Sequence, residues 1–167
     1  LLSAWPSARI YILLFALYAL AGWWVEVLFR SLRERRFVNA GFLVGPFVPA
    51  YGLGAVIVMG VDNVLGAQPL AVRAGGFALS LTALEYFLGL LAERLFRIKL
   101  WDYTQNRFNL HGRICLKFSA VWTVAALAFV VVIQPQASQL VGAVPPDAVS
   151  PLTLVVLIYF AVDFAVS

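Results

Sequence analysis

The sequence predicts an all-α fold: a polytopic transmembrane helical bundle of about five spans, built around a tandem, parallel-oriented helical-hairpin repeat. Three observations predict it. Of the 167 residues, 63% are hydrophobic and 12% charged, about half the charged share of a soluble domain. Mean hydropathy is +0.92, and apolar runs near the roughly 20 residues that cross a hydrocarbon core recur along the chain. The scarce charges are also clustered, with ten of the twelve Lys and Arg in two segments.

The predicted spans are residues 10–29, 49–67, 75–95, 115–133 and 151–166. The first run lacks a basic leader and a small-residue cleavage site, so it is expected to remain as a span rather than be removed as a signal. The second is thinned by Gly52, Gly54 and Gly60, small residues that suit close helix packing in lipid. The fifth stops inside its apolar run and the chain opens without Met, so both ends are expected to be cut short.

Orientation follows from the cations. The link after the first span holds Arg30, Arg33, Arg35 and Arg36. The link after the third holds Arg97, Lys99, Arg107 and Arg113, with Arg94 and Lys117 at its edges. Only Arg9 and Arg73 lie on the other side, and residues 134–150 carry no Lys or Arg. Both basic links are therefore expected in the cytoplasm, with the N-terminus outside. The net charge of +4 reflects these flanks, so no nucleic-acid partner is expected.

The two links share a phrase. GWWVEVLFR (22–30) falls on GLLAERLFR (89–97), and RFVNAG (36–41) falls on RFNLHG (107–112). Each copy ends one span and precedes another, defining a repeat of about 10–67 and about 75–133 within a single transmembrane domain, 1–167, with the fifth span outside it. Within each copy a Glu and an Arg stand four apart, Glu26 with Arg30 and Glu93 with Arg97, on one helix face where they can pair. If the copies are related by an axis along the membrane normal, these ends converge on a polar pocket open to the cytoplasm.

Glu85 differs from both. It lies near the middle of the third span, in LTALEYFLGL, with no basic residue within one turn. Such a carboxylate must be neutral, be paired from another helix, or face water. Asp163 is a second acid inside a predicted span. The first link continues as NAGFLVGPFVPAYGLG, whose closely spaced Gly and Pro suit a tight re-entry into the membrane. In the second link, Trp101, Asp102 and Tyr103, with Asn109 and Arg113, read as the wall of a polar site. The single Cys115 allows no internal disulfide, and the lone His111 gives no metal framework. No metal site, cofactor or catalytic residue is assigned.

These words together, GWWVE, RFVNAGFLVGPFVPAYGLG, LEY, WDY and FNLHGRICL, resemble the type IV ABC-transporter permease family of small CmpB-like membrane proteins. The resemblance covers about residues 10–125, with Thr104 where the family pattern has Ser. It implies an integral protein of the bacterial plasma (inner) membrane. The family's polar signature falls on Glu26, Arg36, Asn39, Tyr51, Glu85, Glu93, Asp102, Asn109 and Arg113, with Tyr103 beside them in WDY. No G-x-x-x-x-G-K-[ST] stretch is present, so any ATP would be bound by a separate subunit. Five spans are few for enclosing a pathway, so a homodimer or other membrane subunits, together with membrane lipid, are the expected partners.

The expected function is that of a permease with a cytoplasm-facing polar cavity for a small anionic or amphiphilic solute or lipid. Glu26, Glu85 and Glu93 would line the cavity, while Arg36 and Arg113 would hold the anionic group. Two alternatives stay open at this level. One is a membrane-embedded enzyme or binding protein that uses a buried Glu. The other is a non-catalytic assembly subunit.

Overall fold

A computed structural model describes residues 7–41 and 43–167. Phe42, inside the stretch expected to re-enter the membrane, lies outside the described residues. The helices are α1 (Ala8–Glu34), α2 (Pro49–Leu65), α3 (Leu70–Leu91), α4 (Leu116–Ala128), α5 (Gln134–Gly142) and α6 (Pro146–Val166). A π-helical turn, Ala92–Phe96, prolongs α3, and another, Phe129–Ile133, joins α4 to α5. A two-stranded antiparallel hairpin, β1 (Asn109–Leu110) and β2 (Ile114–Cys115), sits in the link before α4.

Four helical rods are long and apolar enough to cross a membrane: Ala8–Glu34, Leu70–Phe96, Leu116–Gly142 and Pro146–Val166. α2 is apolar but shorter, at 17 residues. Large apolar side chains such as Trp24, Leu79, Val124 and Val131 are exposed. A bilayer would supply the apolar solvent these side chains lack in water.

α3 and α6 each begin five residues earlier than expected, and two other ends run past their expected limits for local reasons. α1 runs past residue 29 to Glu34 and ends where Arg35 adopts a left-handed backbone, φ 54°. The rod that starts at Leu116 passes through Pro135 to Gly142 instead of stopping at 133. Pro135 has no N–H and its ring crowds the preceding turn, and the wider π turn just before it takes up the misfit. The rod Leu70–Phe96, called the third rod after its helix α3, ends within a residue of the expected 95, with its own π turn and then Arg97 in the left-handed region, φ 56°.

The chain divides into two compact units, the first ending at Val56 and resuming over Gln136–Ser167, the second being Ile57–Pro135. In the first unit α1 packs on α6. Phe15 meets Phe160 at 5.2 Å, and Phe47, from the link, lies 4.8 Å from Phe160 and 5.2 Å from Tyr159. In the second, α3 packs on α4 around buried Val58, Phe77 and Ala126. Arg73 of α3 pairs with Asp62 of α2 at 2.6 Å across the short turn between those helices.

Candidate functional site

In the second unit, Glu85, Gly89 and Glu93 stand at four-residue intervals on one stripe of the third rod, where neighbouring turns stack. Gly89 leaves room for Arg113 to lie across the helix, since a Cβ there would already touch Arg113 Cγ at 3.4 Å. The Arg113 guanidinium donates to Glu93 Oε2 from Nε, at 3.0 Å, and from a terminal nitrogen. Its other terminal nitrogen donates to the Tyr86 hydroxyl at 3.3 Å, and the group sits 5.3 Å from the Tyr86 ring centre. That hydroxyl is 3.0 Å from His111 Nδ1. With one proton and two lone pairs, the hydroxyl can accept from Arg113 and either donate to Nδ1 or accept from it, according to the imidazole tautomer. Hydrogen bonding to Glu93 holds Arg113 firmly in its charged form.

About two turns before Glu93, Glu85 is buried at 8% exposure. Its Oε1 accepts from the Tyr103 hydroxyl at 2.9 Å and from Trp122 Nε1 at 3.2 Å. Its Oε2 is buried and has no hydrogen-bond partner among the described residues. Trp122 and Phe118 lie four apart on α4, and Phe118 stacks on the Tyr103 ring at 4.6 Å and 14°. One helix face thus aims both donors at Glu85. A bond from Thr82 to Ser119, 2.9 Å, ties α3 to α4 one turn away.

The link that delivers Tyr103 and Arg113 is self-bonded. Asp102 accepts from the Thr104 amide and from Lys99 Nζ, each at 2.9 Å. Those two donors, Lys99 first, hold the Asp102 carboxyl down at about 2, and Asp102 in turn raises Lys99. Asn109 accepts from the Gly112 amide at 3.1 Å and donates to the Asn106 carbonyl at 2.8 Å. Trp101 Nε1 donates to the Arg113 carbonyl at 2.7 Å, and the Tyr103 amide to the Gly112 carbonyl at 2.8 Å. Gly112 has φ 69°, and a Cβ there would overlap Thr104.

In the first unit, Glu26 accepts from the Tyr51 hydroxyl and from Arg30 Nε, each at 2.9 Å. The Tyr51 side chain packs against Gly22, where a Cβ would overlap its Cβ and ring carbons. Asn39 accepts from Trp23 Nε1 at 2.7 Å and donates to the Val44 carbonyl at 3.2 Å. The Val48 amide donates to the Ala19 carbonyl at 2.9 Å, so the link comes back along α1 to a level four turns before that helix ends. Gly45 donates to Asp163 Oδ1 at 3.0 Å, and Val44 to Ser167 Oγ at 2.9 Å. Asp163 is buried, and its Oδ2 likewise has no partner among the described residues.

The residues singled out from sequence thus fall into several places. Glu26 with Tyr51 forms one cluster. Glu85 with Tyr103, and Glu93 with Arg113 about two turns away, form a second. Asn39, Asp102 and Asn109 staple their own links. Arg36 is exposed and paired with Glu34 at 3.0 Å, apart from these clusters. Arg30 does pair with Glu26, but Glu93 takes Arg113 rather than Arg97. The π turn and the left-handed Arg97 end the regular helix between Glu93 and Arg97, so the four-residue geometry is lost there.

Sequence reasoning missed Trp122, Tyr86 and Ser167, and it noted Asp163 as an acid within a span without its grip on the first link. A signal for Trp122 existed: it follows Gly112 by the same ten residues by which Tyr51 follows Gly41.

No curated protein and no solved structure matches the chain. The apolar rods, with acids buried in two of them, mark an integral membrane protein. The family described as "Putative ABC-transporter type IV" matches residues 13–167, nearly the full length and both links, and the chain belongs to that family.

Proposed function

We propose that this transport-related membrane protein is the permease component of an ABC-type system, that it handles an anionic amphiphile such as a lipid, and that a separate subunit binds the ATP. The observation that carries the reading is Glu85, a buried acid inside a membrane-length apolar rod, held by donors from the link and from α4. Carboxylates at such depth are costly and mark function by default.

Two features favour an amphiphile over a small free anion. Arg113 and Arg36 are already paired with Glu93 and Glu34. Arg94, with no ion-pair partner among the described residues, borders a shallow, open apolar depression of about 320 Å³ on the surface of the same rod, lined by Phe87, Leu88, Leu90, Leu91 and Leu95. An acyl chain fits the leucine-lined part, and an anionic headgroup fits the guanidinium. In this reading both basic links lie on the cytoplasmic side of a bacterial inner membrane, with the N-terminus outside.

The test is translocation of fluorescently labelled anionic and zwitterionic lipids in proteoliposomes, alone and with any co-purifying ATP-binding subunit. We expect anionic-lipid movement that Arg94→Gln weakens and Glu85→Gln abolishes. A wild type that moves neither lipid under both conditions overturns the proposal. Glu85→Gln protein that is unstable instead of inactive assigns Glu85 to scaffolding.

A further inference from the structure

The two donors to Glu85 converge on one oxygen. We infer that Glu85 is a proton-binding site: Oε2 carries a proton in the folded protein, and that proton exchanges with water through the link side of the protein.

A neutral carboxylic acid has one carbonyl oxygen with two lone pairs and one hydroxyl oxygen. Oε1, accepting from both Tyr103 and Trp122, has the pattern of the carbonyl. Oε2, buried without a partner, has that of the hydroxyl. An ionised carboxylate would spread its charge over both oxygens and leave half of it buried and unanswered, which is the more costly state.

Among the described residues no cation is paired with Glu85; Arg73 of the same rod is taken by Asp62, and Arg97 lies beyond the π turn. On the third rod and the hairpin, Arg113 is taken by Glu93, and Tyr86 lies between Arg113 and His111. On the link, Lys99 is taken by Asp102 and Arg107 lies over the Phe108 ring. On α4, Lys117 lies over the Phe118 ring. Arg94 borders the apolar depression.

Exchange has a short route. Tyr103 is half-buried, and its chain neighbours Asp102 and Thr104 are exposed, so one side chain separates Glu85 from the polar link. On release, Oε2 gives its proton to water and the carboxylate keeps the two donors. On uptake, water or hydronium returns the proton. No bond to carbon changes and no electron moves.

The experiment is infrared difference spectroscopy of the protein in lipid nanodiscs, titrated from mildly acidic to alkaline pH with no solute and no ATP. A failed transport assay therefore leaves its result intact. We expect a protonated-carboxyl C=O band at neutral pH that gives way reversibly to carboxylate bands on alkalinisation. Glu85→Gln should remove one carboxyl's worth of that band. Tyr103→Phe should move it to higher frequency, because the carbonyl loses a donor. That shift identifies the group even if the Gln variant does not fold. Three outcomes overturn the inference: no band at neutral pH, a band that Tyr103→Phe leaves in place, or one that resists alkalinisation until the protein unfolds.

Discussion

The link after α1 and the link after the third rod solve one problem by opposite means. Both return along the helix they leave, and both must satisfy backbone groups that no regular helix pairs. Residues 35–48 borrow their partners from helices: Ser31 for the Val38 amide, Ser167 for Val44, Asp163 for Gly45 and the Ala19 carbonyl for Val48. Residues 97–115 largely satisfy themselves through Asp102, Asn109 and the small hairpin. They then extend Tyr103 and Arg113 to the acids of the third rod. A link that borrows is as firm as the helices it borrows from. A link that closes on itself can carry functional side chains as a preformed piece.

The sharpest way to break this comparison is at the matched glycines. Gly22→Ala drives a methyl into the Tyr51 ring and displaces its hydroxyl from Glu26. Overpacking of this kind costs about 2 kcal/mol. Gly89→Ala meets Arg113 only at ordinary contact distance and gains about 1 kcal/mol of helix propensity. Denaturation in detergent should show the first variant destabilised and the second unchanged or improved. Equal losses would mean that the two glycines serve one packing role.

Next in size is the pair of arginines. Arg30→Met removes a half-exposed four-residue helix pair, worth about 0.4 kcal/mol. Arg113→Met strands Glu93 and leaves Tyr86 without its donor, so its loss on the same denaturation curve should be several-fold larger. Asn39→Ala, which frees Trp23 Nε1 and the Val44 carbonyl, should cost about 1 kcal/mol. It should also raise amide exchange in residues 38–45 while leaving 97–115 untouched.

The smallest effect is acid sensitivity. The Asp102 carboxyl sits at about 2 when folded, against an ordinary 3.8. A depressed carboxyl contributes stability that is complete above the ordinary value and disappears as pH falls through about 2. Exchange at the Thr104 amide should therefore accelerate over that window. Asp102→Asn should remove the acceleration, and the neutral Asn39 staple should show none.

Much of this was legible in the sequence where a single element sufficed. Length and composition identify the apolar rods, and the Glu26–Arg30 pair follows from helix spacing. The Gly/Pro run before α2 points to the returning link. The partner of Glu93 was not legible, because twenty residues, a π turn and a hairpin separate it from Arg113. The grip of α6 on the first link was equally hidden, since Asp163 and Gly45 lie 118 positions apart.

Alone, then, the sequence determined that this chain is a set of apolar helices with acids inside two of them and cations at the ends. Hydrophobic length and the cost of burying charge act locally and leave few alternatives. Only the tertiary structure decided which acids are answered by a cation and which are not. That depends on how irregular links fold back, and a hydrogen bond's partner is set by position in space, not by distance along the chain.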